Sequence, residues 1–323
     1  MATYKDIHGF KIQNVSSDPP ASFTGQVWYN STSGALKVDA GTPVGAWATG
    51  GALNNARYAL AGCGTQTSAL AIDGDPAGNP ANESYNGTSW TTITTLNTER
   101  DKLAAAGASN TSALVFGGNE PPDGAVTTEL WNGSNWTEVA DLSQGRMNLA
   151  GAGIQTAALA FGGEIGFGPD VTNTEKWNGS SWTEVNNLNT ARNGLAGAGT
   201  NTAALAFGGV SALALTELWN GTNWTAVNTM NTGRERLGGA GATNTAALAF
   251  GGIGPPPIAT TARTESWNGT NWTEVADLNT GVNYNAGAGT NTSALSFGGL
   301  SPSATAATEE WNFIGGISTI ESS

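Results

Sequence analysis

Five arginines stand ten residues after a tryptophan: Arg57, Arg100, Arg146, Arg192 and Arg234, with Val282 in the sixth such place. Six glutamates, Glu83, Glu129, Glu175, Glu217, Glu265 and Glu309, each stand two residues before an aromatic position. Guanidinium groups gathered together grip carboxylates or phosphates through forked hydrogen bonds. The basic and acidic series can instead pair with each other and lock a repeating frame. A side chain repeated at one spacing is more often architecture than chemistry, so the structural pairing is preferred and an anion site is the alternative. Other chemistry has little to draw on. The chain has one histidine, His8, and one cysteine, Cys63, too few for a nitrogen–sulfur metal site. The 25 Asp and Glu supply carboxylates, but many are tied to the repeat and none forms a distinct acid–base couple. No catalytic residue, metal ligand or cofactor is therefore assigned.

The elements that must hold these residues recur along the chain. Thr128-Glu-Leu-Trp131-Asn-Gly-Ser-Asn-Trp136-Thr-Glu-Val139 has close copies at Trp177–Trp182, Trp219–Trp224 and Trp267–Trp272, with Tyr85–Trp90 a variant and Trp311-Asn312 an opening. Thr-Glu-Leu-Trp alternates as a strand does, and Asn132-Gly133, tolerant of positive φ, predicts a tight hairpin to a return strand from Trp136. Two more strands precede each hairpin, as in Leu149–Gly153 and Ala157–Phe161 before Gly162-Gly163. Strands of small residues suit a crowded axis where backbones approach closely. A Gly- and Trp-rich repeat of about 40–50 residues predicts four-stranded blades of a propeller.

The order Phe-Gly-Gly, Glu-x-Trp, a second Trp five residues on and Asn-Thr-x-Arg resembles the kelch repeat. The wording Asn189-Thr-Ala-Arg192 followed by Asn-Gly-Leu-Ala-Gly-Ala-Gly-Thr200 is similar to kelch-like virion proteins of tailed, in particular marine, bacteriophages. The resemblance covers about residues 45–312 and implies an all-β fold: a six-bladed kelch-like β-propeller of four-stranded antiparallel blades. Register supports closure by an N-terminal strand. Ala46–Thr49 is a fourth strand without its blade, and Trp311-Asn312 is a third strand without its partner. The alternative gives the missing strand to Phe313–Ile320. Kelch-like copper oxidases need several His and Tyr ligands and a reactive Cys, and this chain has one histidine, His8, outside the propeller.

In such a meander the short Asn-Gly and first-to-second-strand turns share one face. The connections between second and third strands share the other, with nine of the 12 prolines. That variable face supplies candidate recognition residues: Pro121, Pro122 and Asp123; Phe167, Pro169 and Asp170; Pro255, Pro256 and Pro257. The five arginines precede the innermost strands and are expected at the channel mouth on this face, more as structure than as a site. The tryptophans are expected between blades rather than on a sugar platform.

Three segments follow: residues 1–44, residues 45–312 and a tail, 313–323. Within the first, Gly25-Gln-Val-Trp-Tyr-Asn…Gly-Ala-Leu-Lys-Val38 reads as a hairpin and is similar to small N-terminal modules of phage tail and fibre proteins. Val27, Trp28, Tyr29 and Leu36 are its candidate docking residues. Net charge is −13, all of it outside residues 1–44, which argues against nucleic acid or anionic lipid as partner. No apolar run reads as a signal peptide or membrane span. The resemblances imply a non-enzymatic virion structural protein, tail- or fibre-associated, made in the host cytoplasm. It would dock on tail, neck or fibre subunits, with a homo-oligomer open, and display its loop face. A host-glycan-binding adhesin that meets a surface glycan or protein is the alternative, and a glycan-cleaving enzyme a more distant one.

Overall fold

The computed structural model describes residues 12–17, 26–39, 44–75, 82–120, 124–255, 259–314 and 317–319, and every strand given below lies within them. It has two compact units, residues 1–46 with 313–323, and residues 47–312.

In the first unit, β1 (Gln13–Val15) runs parallel to β2 (Val27–Asn30), which pairs antiparallel with β3 (Ala35–Asp39). The sheet takes its fourth strand from the far end of the chain: Ile317–Thr319 pairs antiparallel with β3. The hairpin expected between Gly25 and Val38 is present, but flanked on both sides. Of the segment expected as a tail or a spare propeller strand, residues 317–319 pair in this unit instead. Two flanking strands answer the marginal stability of a lone hairpin.

After β4 (Val44–Thr49) the second unit repeats one sheet six times. The first comprises β5 (Ala61–Thr65), β6 (Ser68–Ile72), β7 (Asn82–Tyr85) and β8 (Trp90–Ile93). The second comprises β9 (Ala104–Ser109), β10 (Ser112–Phe116), β11 (Thr128–Trp131) and β12 (Trp136–Glu138). The third comprises β13 (Ala150–Ile154), β14 (Ala157–Phe161), β15 (Thr174–Trp177) and β16 (Trp182–Glu184). The fourth comprises β17 (Ala196–Thr200), β18 (Ala203–Phe207), β19 (Thr216–Trp219) and β20 (Trp224–Val227). The fifth comprises β21 (Gly238–Thr243), β22 (Ala246–Phe250), β23 (Thr264–Trp267) and β24 (Trp272–Glu274). The sixth takes β25 (Ala286–Gly289), β26 (Ser293–Phe297) and β27 (Thr308–Ile314) and is completed by β4, the N-terminal strand. The unit is thus all-β, six antiparallel sheets consistent with propeller-like blades; β28 (Ile317–Thr319) belongs to the other unit.

The local patterns explain the elements. The second strand of each sheet, such as Ala-Ala-Leu-Ala-Phe of β18, is buried at its last four positions, which are apolar in every sheet but the sixth, where one is Ser296. The first strand alternates small residues because neighbouring first strands nearly touch. A Cβ at Gly287 would lie 2.3 Å from the Gly239 carbonyl oxygen, and one at Gly62 would lie 2.8 Å from the Gly287 oxygen. The hairpin turn differs in mechanism from the sequence reading. Only Gly133 takes positive φ; the Asn132 Oδ1 accepts from the Ser134 and Asn135 amides at 2.9 Å, so the asparagine closes the turn with its side chain.

The core lies between sheets. Trp224 of the fourth sheet sits 4.9 Å from Phe161 of the third, centroid to centroid, and its Nε1 donates to Thr174 Oγ1 at 3.1 Å. Trp90, Trp182 and Trp272 bond in the same way to Thr308, Thr128 and Thr216 of the preceding sheet, and Trp47 on β4 to Thr264. Each indole buries roughly 150–250 Å², a gross transfer gain of about 4–6 kcal/mol.

Candidate functional site

The repeated Arg and Glu pair within every sheet that has both. Nη to Oε distances are 3.1 Å for Arg57–Glu83, 2.8 Å for Arg100–Glu129, 3.0 Å for Arg146–Glu175, 3.1 Å for Arg192–Glu217 and 2.9 Å for Arg234–Glu265. All ten residues are buried. The arginine also reaches the glycine doublet: Arg192 Nη1 donates to the carbonyls of Gly208 at 3.0 Å and Leu215 at 2.9 Å. The other glutamate oxygen holds the incoming connection, as Glu217 does for the Asn189 amide and side chain at 2.8 and 2.7 Å. Each pair thus ties the link from one sheet to the fabric of the next. Burial pulls the guanidinium pKa of Arg57, Arg146 and Arg192 down, the partner glutamates opposing it, and lowers that of Arg234 to about 10. These arginines do not line the mouth where the sequence reading put them; they are enclosed in the sheets.

The mouth is formed by the residues two further on: Ala59, Lys102, Asn148, Gly194, Arg236 and Tyr284, around a cavity of about 100 Å³. Their backbones form a ring of hydrogen bonds that returns to its start. The Lys102 amide donates to Ala59 O at 2.8 Å, Asn148 to Lys102 at 2.9 Å, Gly194 to Asn148 at 2.9 Å, Arg236 to Gly194 at 2.7 Å, Tyr284 to Arg236 at 2.8 Å and Ala59 to Tyr284 at 3.0 Å. All six residues have φ between 52° and 60°. That left-handed region suits Gly and Asn and costs other residues about 1–2 kcal/mol. Lys, Arg and Tyr nevertheless occupy three of the six places.

Their side chains make a mixed polar rim. The Arg236 guanidinium lies 4.7 Å from the Tyr284 ring centre and 3.7 Å from Glu235; Lys102 Nζ lies 5.2 Å from the Phe167 ring centre and 3.4 Å from Asp101. Tyr284 also stacks edge-on at 6.0 Å from Tyr58, whose hydroxyl donates to Asp75 and whose pKa that bond, with burial, raises to about 12. Asn148 Nδ2 donates to Glu164 at 2.7 Å, and Asn193 Nδ2 to Asp170 at 2.6 Å. Phe167 is 77% exposed, with Pro169 and Pro255 also at the surface. Of the loop residues singled out by sequence, Phe167 and Asp170 adjoin this rim. Pro121, Pro122, Asp123, Pro256 and Pro257 lie outside the described residues, as does His8. In the other unit Trp28 is fully buried, Val27 and Leu36 are half-buried, and Tyr29 is exposed.

A signal for the rim exists in the sequence: its six residues each stand twelve after an outer tryptophan. They differ in type, so no repeated letter marks them. The opposite end of the axis is a wider cavity of about 470 Å³, walled by first-strand residues such as Gly64, Ile154 and Thr200 and by Thr290 just beyond β25. Among the described residues no group of three or more His, Cys, Asp or Glu could hold a metal ion, and no helix is long and apolar enough to cross a membrane. No family model and no curated protein matches the chain.

Proposed function

We propose that the chain is a six-bladed kelch-like β-propeller that works as a non-enzymatic recognition and display protein. One observation carries the reading: on a backbone ring repeated six times, the mouth bears six different residue types, three of them bulky and in a strained conformation. Architecture alone calls for Gly or Asn there, and side chains kept at a conformational cost point to use. The rim alternates cations with carboxylates and carries Phe167 and Tyr284 beside its charges. Such mixed polarity suits a folded protein surface better than a uniform polyanion.

The sequence resemblances support placing this module in a tailed-phage particle. There the first unit would dock on a tail, neck or fibre subunit and the mouth face would meet its partner. Host-surface glycan is the second reading, favoured by exposed Phe167 beside Lys102.

The test uses the full chain carrying Lys102→Gly, Arg236→Gly and Tyr284→Gly together. Glycine keeps the left-handed ring and removes the side chains, so the melting temperature should hold or rise. Binding to assembled particles or host cells should fall by about 10-fold or more. Unchanged binding refutes the mouth as the site. Absence of the chain from purified particles by mass spectrometry refutes the virion placement, and release of sugars from a polysaccharide panel refutes the non-enzymatic reading.

A further inference from the structure

The sixth sheet lacks the arginine that its five siblings share. Val282 stands where they have arginine, yet Glu309 keeps the partner position and is buried, 8% exposed. Its Oε2 accepts from the Asn279 amide at 2.8 Å and side chain at 2.6 Å, as an asparagine does in every other sheet but the third, where the Ser143 amide alone serves. Among the described residues no cation pairs with it. A cavity of about 130 Å³ opens between Glu309, Val282, Ser296, Gly298, Thr305 and Ala307. At about 30 Å³ per water, that is room for several waters or one planar guanidinium.

The sibling sheets show what such walls hold. Around Arg192 the acceptors are Glu217 Oε1 and the carbonyls of Ala206, Gly208 and Leu215, at 2.9–3.4 Å. Their counterparts by register are Glu309 and the carbonyls of Ser296, Gly298 and Ala307. Two further changes are linked to it: Ser296 lines the cavity, and Asn285, which lines the mouth cavity, bonds to Ser296. Asn285 replaces the leucine found at Leu60, Leu103, Leu149, Leu195 and Leu237, and Ser296 replaces a small apolar residue. Asn285 Nδ2 donates to Ser296 Oγ at 2.9 Å, while Asn285 Oδ1 is buried with no hydrogen-bond partner. Losing an arginine to valine would favour apolar neighbours, because buried polar groups cost stability unless satisfied. Here the neighbours became more polar instead.

We propose that this cavity binds a guanidinium group supplied from outside the chain, held by Glu309 and the strand-end carbonyls as the arginines are held in the other five sheets. Exposed Thr280 and Ala307 frame its opening. The group comes either from a small alkylguanidine or from an arginine of a partner protein.

The full chain is titrated by calorimetry with agmatine, with a short arginine-bearing peptide, and with potassium and ammonium as controls. Saturable 1:1 binding is expected for the guanidinium probes. It should weaken about 10–100-fold in Glu309→Gln, the loss of one charge-assisted hydrogen bond, and vanish in Val282→Arg, which fills the site from within. Val282→Arg should also melt at a higher temperature. Should that variant fail to fold, Val282→Met fills the cavity without charge and must abolish binding too. Agmatine binding as well as the peptide identifies a small-molecule source, and a clear preference for the peptide identifies a protein partner. Absence of saturable binding, equal binding by Val282→Arg, or equal response to potassium overturns the proposal.

Discussion

Arg192→Ala tests the buried pairs most directly. Arg192 is fully enclosed, and its Nη atoms supply four hydrogen bonds, to Gly208 O, Leu215 O, Ala206 O and Glu217 Oε1. Truncation leaves Glu217, 2% exposed, as a charge held only by the Asn189 amide and side chain. Removing one partner of a buried ion pair costs about 3–5 kcal/mol. At roughly 2–4 °C per kcal/mol for a unit of this size, the melting temperature should fall by about 6–20 °C. Urea denaturation followed by tryptophan fluorescence gives the free energy, since indoles line the sheet junctions. Adding Glu217→Gln to Arg192→Ala discharges the stranded carboxylate and should recover about 1–2 kcal/mol. A loss below about 1 kcal/mol, or no recovery in the double variant, refutes the claim that these pairs hold the connections to the sheets.

Two other perturbations follow from the same packing. Asp73 takes the place of the first glycine of the doublet in the first sheet, at φ 52°, and burial raises its carboxyl pKa to about 6 against the opposing Arg100 amide. Because the folded value exceeds the unfolded one, the charge destabilises the fold as pH rises from about 4 to 6, by about 2–3 kcal/mol. Asp73→Asn should therefore melt higher than the parent at pH 7 and equal it below pH 4; a gain that persists at pH 4 contradicts this. Deleting residues 1–52 removes β4 and the Trp47 contacts with Phe250 and Thr264, leaving β27 an open edge, so the product should aggregate. A soluble monomer with unchanged melting would show that β4 is dispensable to the sixth sheet.

The repeated parts of the fold were legible because each sheet solves the same packing problem with the same letters. Glu-x-Trp places the glutamate and indole, the glycine doublet ends the second strand, and the unmatched Trp47 and Trp311 announce each other across the chain. Direction was less legible. The repeat shows that Arg192 can pair with one of the repeated glutamates, but which one, and whether the guanidinium turns into the sheet or toward the axis, depends on three carbonyls that carry no sequence signal. The rim was hidden for the opposite reason: its constant feature is a backbone angle and a hydrogen-bond ring, while its side chains vary. Ile317–Thr319 was missed as a partner of β3 because a three-residue edge strand lacks any pattern of its own.

The sixth sheet joins these two lessons. Its sequence shows that an arginine is lost at Val282, but loss alone predicts a collapsed, apolar site. Only the geometry shows Glu309 still buried in the pairing position, with Ser296 directly opposite it and Asn285 bonded to that serine. Val282 and Ser296 line one cavity with Glu309, and Asn285 is tied to it through Ser296, so the site is a poorer core than its five counterparts. In a chain whose other five copies satisfy the same carboxylate internally, that convergence singles out the copy built to be satisfied by something else.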